Sequence, residues 1–323
     1  MIRRTFSAIA LSAVLSITGL FASPALAAGA HTWQVQAGSL AFDGAGPSGG
    51  GNRFYPAAIA IHPGDSVTFA PMGAHTITFN RPPGPLPLVF GPFGDPVITS
   101  ASQSVNSGII GDGPPGAGYT LTFASTLPAG RYTVICGLHL GMTESITVLE
   151  ATEALPKTDA EYLASAQRQI ARDLDAQAQI AAEARTYNEN EDGSPNVLVG
   201  AGDNRVTSLR FYPQVVTVHV GQAVTFLKTL DPTEPHTVTF GTEPADPLAQ
   251  LMARGGSTYS GTENISSGFL STRAQYAFYQ LAGTPLPVAL TTYRVTFTAA
   301  GDFTYICAIH DVIGMRATVH VIP

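Results

Sequence analysis

Apolar and polar residues alternate over short segments along most of the chain, and this pattern predicts many β-strands. Residues 33–37 (WQVQA), 66–69 (SVTF) and 119–123 (YTLTF) place apolar side chains on one face and polar side chains on the other. Turn formers separate such segments, as in the sequence HPGD at residues 62–65. The pattern therefore predicts an all-β chain, with one exception near its middle.

The order of predicted strands occurs twice along the chain. The sequence RFYP at residues 53–56 returns at 210–213, and YTLTF at 119–123 corresponds to YRVTF at 293–297. The offset between the copies grows from 157 residues at the first motif to 171 residues at the cysteines, so the second copy has longer loops. A repeat of this length indicates tandem domains rather than a solenoid.

The exception is a segment between the copies that has helical character. Thr158 and Glu161 form a capping-box sequence, and Ala, Gln, Glu, Asp and Arg dominate from there to about residue 185. We expect one helix that joins the domains and packs a thin apolar stripe against one of them; a dimerising coiled coil is the alternative, but the stripe is short and rich in alanine. The stripe consists of Leu163, Ile170, Leu174 and Ala181.

The composition agrees with this organisation. The chain has 323 residues, which is enough for two domains of ordinary size. Its 33 Gly and 24 Pro, together with a charged fraction of only 12%, favour short strands and turns over long helices. A net charge of −7 and the lack of a basic patch in the sequence argue against a nucleic-acid partner.

Residues 1–27 have the pattern of a secretory signal peptide. Arg3 and Arg4 are basic, residues 9–21 are apolar, and ALA at residues 25–27 fits the small-x-small rule for cleavage. The sequence RRTF at residues 3–6 also resembles the core of a twin-arginine signal, although Ser7 departs from that pattern. A membrane anchor is the alternative, but the apolar run is short for a span. We expect an exported protein, periplasmic or extracellular, with no membrane span in the mature chain.

The sequence around residue 307 contains three residue types that suit copper. Cys307, His310 and Met315 supply a thiolate, an imidazole and a thioether, at the end of a predicted strand and in the loop after it. A trigonal copper site also needs a second histidine, which should come from a distant strand. His236, at the start of the alternating segment 236–240 (HTVTF), is the candidate.

The first copy contains the same set of residue types, namely His75, Cys136, His139 and Met142. A Cys-x2-His pair by itself could be half of a zinc site, but zinc rarely binds a thioether, and here the whole set occurs twice. Two cysteines in an exported protein could also form a disulfide. Because the cysteines occupy equivalent positions in two repeats, we expect them instead in separate cores.

These motifs resemble those of the cupredoxins, the small blue-copper proteins. The spacing C-x2-H-x2-M of the first copy resembles amicyanin, and the spacing C-x2-H-x4-M of the second copy resembles plastocyanin and pseudoazurin. The resemblance implies two Greek-key β-sandwiches, at residues 28–150 and 195–323, joined by a helical linker at residues 151–194. It also implies two type 1 copper ions per chain, one in each domain. The implied ligands are His75, Cys136, His139 and Met142 for the first ion and His236, Cys307, His310 and Met315 for the second.

The resemblance further implies how such a protein works. The function would be one-electron transfer, and the partner would be a small redox protein. In the cupredoxins the position of Thr76 and Thr237 helps to tie the ligand loops together by hydrogen bonds, and such contacts tune the metal; an ordinary strand threonine is the alternative. The ring edges of His139 and His310 are expected to be exposed within an apolar patch where electrons enter and leave.

Residues that other copper chemistry requires are missing from the sequence. Copper oxidases and copper nitrite reductases are built from similar domains and place a histidine directly before the cysteine. This chain has Ile135 and Ile306 at those positions. No His-x-His pair occurs in the sequence, so it offers no material for a trinuclear copper cluster. We therefore expect an electron carrier rather than an enzyme. The alternatives are a protein that buffers or delivers copper, and a copper oxidoreductase whose type 2 site forms between chains.

Overall fold

A computed structural model of the protein describes residues 30–80, 91–111, 118–186, 193–281 and 290–323. The predicted signal peptide lies outside the described residues. The Pro- and Gly-rich sequence of residues 81–96 predicts a long loop, most of which also lies outside them. Residues His31–Pro323 form a single unit by their contacts. Within the described residues, no helix has the length and apolar character needed to cross a lipid bilayer.

The first half of this unit consists of short strands, and three of them contain the alternating segments at 33–37, 66–69 and 119–123. The strands are β1 (Thr32–Ala37), β2 (Ala41–Asp43), β3 (Gly46–Gly51), β4 (Phe54–Tyr55), β5 (Ala58–Ile61), β6 (Ser66–Pro71), β7 (Thr78–Phe79), β8 (Val97–Ile98), β9 (Val105–Asn106), β10 (Tyr119–Phe123), β11 (Gly130–Ile135) and β12 (Thr143–Val148).

A long helix, α1 (Asp159–Ala184), separates these strands from those of the second half. The second half contains β13 (Asn196–Gly202), β14 (Val206–Tyr212), β15 (Val215–His219), β16 (Ala223–Leu227), β17 (Thr239–Phe240), α2 (Pro247–Gln250), β18 (Thr258–Tyr259), β19 (Ile265–Ser266), α3 (Arg273–Leu281), β20 (Thr292–Phe297), β21 (Gly301–Ile306) and β22 (Arg316–Ile322), with a short 3-10 helix at Asp311–Ile313.

The strands pair in the same order in both halves. In the first half the two sheets have the orders β4-β1-β6-β10-β8 and β5-β12-β11-β7-β9. In the second half the orders β14-β13-β16-β20-β18 and β15-β22-β21-β17-β19 repeat them strand for strand. We call these pairs of sheets the first and second sandwich. The predicted all-β fold of two tandem sandwiches with a helix between them is confirmed.

The alternation within the strands builds the core of each sandwich. Val35, Val67 and Leu121 of one sheet are 0–1% exposed and belong to the same apolar cluster as Val134 and Ile146 of the other sheet. The second sandwich has a corresponding cluster between its own two sheets. Burying one such side chain stabilises the fold by about 1.5–3 kcal/mol. Since each strand turns its apolar face inward, the pattern read from the sequence is sufficient to specify these cores.

One strand pair crosses from the first copy into the second sandwich. The sequence pattern predicts a glycine-rich loop at residues 43–52, but residues 46–51 form β3, which pairs with β14 and extends the sheet of the second sandwich. A Cβ atom on Gly49 would lie 2.1 Å from the backbone oxygen of Thr207, so the absence of a side chain permits this close approach. Asp43 and Arg210 add an ion pair of 2.9 Å between the two copies.

Helix α1 begins as predicted but buries a different face. Thr158 is the N-cap, and the capping box with Glu161 is complete. Leu163, expected on the buried stripe, is 60% exposed. The buried face includes polar residues because backbone and side-chain groups of the strands bind them. It consists of Tyr162, Ala166, Asp173, Gln177, Ala181 and Ala184.

The helix contacts both sandwiches, so the expectation that it packs on one of them is wrong. Near its start, Tyr162 joins the core of the first sandwich, and its hydroxyl accepts a hydrogen bond of 2.8 Å from the backbone of Ala60. Near its end, Ala181 packs with Leu198 and Tyr212 of the second sandwich. The helix therefore stabilises the arrangement of the two sandwiches and is more than a spacer.

Replacing Asp173 with alanine should destabilise the protein. The Asp173 carboxylate is buried, accepts a hydrogen bond of 2.7 Å from the Tyr55 hydroxyl and lies 3.5 Å from the guanidinium of Arg53. Its loss leaves a buried hydroxyl without this partner, which should lower the free energy of unfolding by about 1–3 kcal/mol in urea denaturation. Asp175→Ala, at an exposed position of the same helix, is the control and should change it by less than about 0.5 kcal/mol. Equal effects of the two variants would contradict this role of Asp173.

Candidate metal centres

The strand ends of the first sandwich bring His75, Cys136 and His139 together. His75 forms a backbone bridge with Ile110 just before β7, and Cys136 follows the last residue of β11. The loop after Cys136 is closed by two backbone hydrogen bonds, from Cys136 to Met142 at 3.0 Å and from Met142 to His139 at 3.1 Å. Such a short closed loop leaves the ligand residues little freedom of position.

The donor atoms of this first centre lie around one point. The Nδ1 atoms of His75 and His139 are 3.0 Å apart, and the Cys136 Sγ lies 3.9 Å and 3.4 Å from them. All three side chains are buried. The three residues predicted from the sequence are therefore in contact, with one histidine from a distant strand as expected.

The second sandwich repeats this geometry. The Nδ1 atoms of His236 and His310 are 3.2 Å apart, and the Cys307 Sγ lies 3.7 Å and 3.5 Å from them. The backbone N–H of Cys307 donates to Met315 at 3.0 Å, as Cys136 does to Met142. The longer loop of this second centre contains the 3-10 helix, which ends at Gly314 in a left-handed conformation (φ 85°).

Both predicted methionines are buried in the cores that hold the cysteines. Met142 is 1% exposed and Met315 is 0% exposed. Each accepts the backbone hydrogen bond that closes its ligand loop, so each lies at the end of that loop. Their ligation of a metal stays a prediction.

The two cysteines are free thiols, as expected from their equivalent places in the two repeats. Burial by itself raises the pKa of a thiol, but the charge of His139 and hydrogen bonds from both histidines hold the pKa of Cys136 well below its usual range. The pKa of Cys307 is lowered in the same way by His310 and His236. A lowered thiol pKa favours the thiolate, which is the form that binds metals.

Threonines beside the first histidines tie the ligand loops together, which favours this alternative over that of an ordinary strand threonine. The Thr76 hydroxyl accepts a hydrogen bond of 2.6 Å from the backbone of Gly137, and the Thr76 backbone N–H points at the Cys136 Sγ at 3.3 Å. Thr237 makes the corresponding contacts in the second centre, at 2.7 Å and 3.3 Å. Contacts of this kind orient metal ligands and tune the metal.

A glycine packs directly against the first histidine of each centre. A Cβ atom on Gly38 would lie 2.1 Å from the Nε2 atom of His75, and a Cβ atom on Gly200 would lie 2.2 Å from that of His236. Both glycines have left-handed backbone conformations, with φ of 79° and 76°. These two positions were not predicted, because a single glycine gives no local signal of what it contacts.

Asp231 and Lys228 form a buried pair beside the second centre that the strand pattern did not predict. The Asp231 Oδ2 atom is 3.1 Å from His236 Nε2, and Lys228 contacts the backbone oxygen of Asp231. Burial favours the neutral acid, but Lys228 and His236 hold the pKa of Asp231 far below its usual range. One feature of the sequence could have indicated this pair. The segment LDPTEPH at residues 230–236 contains two acidic residues, whereas the corresponding segment of the first copy contains none.

The ring edges of the loop histidines, His139 and His310, are not exposed, which corrects the expectation of a surface patch around them. The two sandwiches cover them. The side chain of His139 is 7% exposed and that of His310 is 13% exposed. The Tyr279 hydroxyl of α3 also donates a hydrogen bond of 2.6 Å to the backbone oxygen of Leu138, in the first ligand loop.

Glu234 lies between these two histidines. Its Oε1 atom is 2.8 Å from His139 Nε2 and its Oε2 atom is 3.6 Å from His310 Nε2. Burial by itself raises the pKa of a carboxyl, but the two histidines hold the pKa of Glu234 well below its usual range. In the same way, and against the effect of burial, the Cys307 thiolate and Glu234 raise the pKa of His310 to about 10.

The donor sets fit a transition metal and favour copper. Bonds from zinc, a comparable first-row metal, to His nitrogen and Cys sulfur are about 2.0–2.3 Å long, so ligand atoms around one ion lie about 3–4 Å apart. The donor distances in both centres fall within that range. Two imidazoles and one thiolate with a nearby thioether make up the donor set of trigonal copper centres.

One family model and several solved structures are similar to parts of the chain. Residues 195–322 match the family model described as copper binding proteins, plastocyanin/azurin family. The oxidised plastocyanin of Dryopteris crassirhizoma is 21% identical; the match covers 39% of this chain and 99% of that chain, with a TM-score of 0.24. A mutant of amicyanin in its Cu(I) form is 19% identical; the match covers 42% of this chain and 87% of that chain, also with a TM-score of 0.24.

The second half of the chain thus matches the plastocyanin/azurin family of copper-binding proteins, and the first half repeats its His–Cys–His group, which together suggest a two-domain cupredoxin.

Proposed function

We propose that this protein is an exported electron carrier with one type 1 copper in each domain. The proposed domains are residues 28–150 and 195–323, with a linker at residues 151–194. The observation that carries the proposal is the pair of largely buried His–Cys–His groups, each with matching donor distances and a buried methionine at the end of its ligand loop. The ligands are His75, Cys136, His139 and Met142 in the first domain and His236, Cys307, His310 and Met315 in the second.

Copper bound in such a centre supplies reversible one-electron oxidation and reduction. The protein supplies a fixed ligand frame. The cysteine thiolate and two imidazoles are held by hydrogen bonds and by packing in the core, and the thioether tunes the potential. A frame that moves little between oxidation states favours rapid electron exchange. Four protein ligands per metal also leave no position for a substrate, which an enzyme would need.

The proposed partner is a small redox protein, which must approach by a route other than the covered histidine edges. Val312 is 88% exposed and lies in the 3-10 helix between His310 and Met315. His310 is also the more exposed of the two loop histidines. We therefore expect a partner to exchange electrons with the second centre. Val312→Glu should slow this exchange and leave the copper spectrum unchanged. Val220→Glu, at an exposed apolar position beside Ile322 at the opposite end of β22 from Met315, should have little effect on either.

The test of the proposal is a copper count combined with visible and EPR spectra of the purified protein. We expect two coppers per chain, both with the intense thiolate-to-copper absorption and the narrow hyperfine splitting of type 1 sites. The protein should not reduce nitrite, nor oxidise phenols or metal ions with O2. A third copper per chain together with steady turnover of nitrite or O2 would establish an enzyme instead. Copper that exchanges readily with a chelator and gives no type 1 spectrum would favour a buffering or delivery role.

The two centres should have different reduction potentials, because their surroundings differ. The second centre has the longer loop from histidine to methionine, and Asp231 binds the far nitrogen of its ligand His236. A carboxylate at that position makes the imidazole a stronger donor and stabilises the oxidised metal. The double variant Lys228→Met/Asp231→Asn removes both charges of the buried pair and should raise the potential of the second centre alone in voltammetry.

Asp203→Asn, a substitution in a more exposed loop of the same domain, serves as the control and should shift neither potential. A single unresolved wave in the unmodified protein, or equal shifts of both waves in the double variant, would contradict the assignment of Asp231 to one centre.

A further inference from the structure

The loop histidines of the two centres are connected through a single carboxylate. His139 points its Nδ1 atom at Cys136 and its Nε2 atom at Glu234, and His310 does the same with Cys307 and Glu234. The path from thiol to thiol therefore runs through two imidazole rings and one carboxylate. Its contacts between the rings and Glu234 are 2.8 Å and 3.6 Å long.

The carboxylate of Glu234 is held in place from both sandwiches. The side-chain amide of Asn52, from the first copy, donates to Glu234 Oε1 at 3.0 Å. The backbone N–H of Glu234 donates to Asp231 Oδ1 at 3.0 Å, within the second sandwich. Glu234 is only 8% exposed. A buried carboxylate is costly unless charged or polar groups compensate it, so this arrangement depends on the two histidines and Asn52.

The fold of a single domain does not require this glutamate. Counted from the first histidine of each centre, Gly73 stands in the first copy where Glu234 stands in the second. The first centre nevertheless assembles the same His–Cys–His group with the same threonine contacts. A His–Cys–His group can therefore assemble without an equivalent of Glu234, and the role of Glu234 lies at the junction between the two sandwiches.

We propose that Glu234 is a positioning residue that joins the two centres, so that an electron passes between them inside the chain along His139, Glu234 and His310. This inference rests on the proposed function. In each transfer one centre is oxidised from Cu(I) to Cu(II) and the other is reduced from Cu(II) to Cu(I). No bond to carbon forms or breaks, and no external oxidant or reductant takes part. The covered ring edges of the loop histidines thus face each other across Glu234 and form an internal connection.

Internal electron transfer in the copper-loaded full chain tests the proposal. After rapid one-electron reduction of the fully oxidised protein by a pulse-generated radical, the redistribution between the centres is followed by their absorption bands. Glu234→Gln keeps the shape of the side chain, but its amide nitrogen cannot accept the hydrogen bond that one histidine N–H donates to the carboxylate. The variant should therefore slow the redistribution by about tenfold or more. Glu234→Asp keeps the charge and should restore part of the rate. Glu263→Gln, at a partly exposed carboxylate of the same domain, is the control and should retain the unmodified rate.

A second measurement does not depend on electron transfer. In the diamagnetic Cu(I) protein, the Nε2 protons of His139 and His310 should appear in NMR as two protected signals. Glu234→Gln should shift both signals, and Glu263→Gln should shift neither. A purely structural role of Glu234 would lower stability in urea without a selective change at these two protons.

The outcomes separate this inference from the proposed function. If the unmodified protein lacks two type 1 spectra, the proposed function fails, and this inference fails with it. If both spectra are present but Glu234→Gln retains the internal rate and the two proton signals, only the internal connection is overturned. If Glu234→Gln fails to fold, Asn52→Ala, which removes a hydrogen bond to the same carboxylate, should produce the same slowing and proton shifts in smaller degree, and unchanged values would overturn the proposal.

Discussion

Replacing Cys136 with serine is expected to remove one copper from the protein and to leave the other bound. The serine hydroxyl is a harder donor than a thiolate and stays protonated near neutral pH, so it does not replace the strong sulfur bond that copper requires. The surviving absorption and EPR signals should be those of the second centre. Cys307→Ser should give the complementary result, with the first centre surviving. Metal content and the two spectra, measured on the purified variants, check both expectations.

The control for these variants is Ala308→Ser. It introduces a serine at a buried position directly beside Cys307, where the backbone N–H binds Thr237, without removing a thiolate. It should retain both coppers. Loss of both coppers in either cysteine variant would mean that the centres do not bind metal independently, and it would contradict one type 1 copper in each domain.

Gly200→Ala is expected to impair the second centre strongly. The new methyl group would lie 2.2 Å from His236 Nε2 and 2.9 Å from Asp231 Oδ2, so the ligand histidine must move. The left-handed backbone at this position adds about 1–2 kcal/mol for any residue other than glycine. Copper affinity at the second centre should fall by about 10- to 100-fold, since displaced ligand contacts have effects of that size. Competition with a copper chelator, followed through the absorption band of each centre, measures this loss.

Gly221→Ala is the control that distinguishes the two effects of Gly200→Ala, namely displacement of the ligand histidine and strain in the backbone. Gly221 has a φ of 89°, also left-handed, but a Cβ atom there would have no heavy atom of the described residues within 4 Å. This variant should lose a similar amount of stability and keep its copper affinity. Gly38→Ala should weaken copper at the first centre instead, because the same contact with His75 exists there. Equal copper affinities for Gly200→Ala and Gly221→Ala would show that the glycine contact does not hold the ligand.

Much of each centre could be predicted because its information is local. Cys307 and His310 lie three residues apart at the end of a strand, and the hydrogen bond from His310 to the Cys307 backbone places them together. The distant histidine, His236, could be found because it begins an alternating segment that occurs in both copies. Repetition of the pattern gave two independent observations of one arrangement, and this is why the His–Cys–His groups were predicted residue by residue.

Helix α1 could be predicted only in part from the local sequence. Its start could be read from Thr158 and Glu161, because a capping box involves only residues within one turn. Its buried face could not be predicted, because Asp173 and Gln177 are buried through hydrogen bonds to residues more than a hundred positions away along the chain. A polar side chain is expected on the outside unless its partners are known, and those partners come from the other strands.

The sequence by itself determined the all-β repeat, the two sets of candidate metal ligands and the helix between them, since alternation, spacing and capping act over a few residues. Only the tertiary structure decided that β3 joins the second sandwich, that the loop histidines are covered, and that Glu234 lies between them. The physical reason is that each of these features is a contact between distant segments. Whether a carboxylate such as Glu234 faces water or two imidazoles depends on how the sandwiches meet, and no pattern within either copy contains that information.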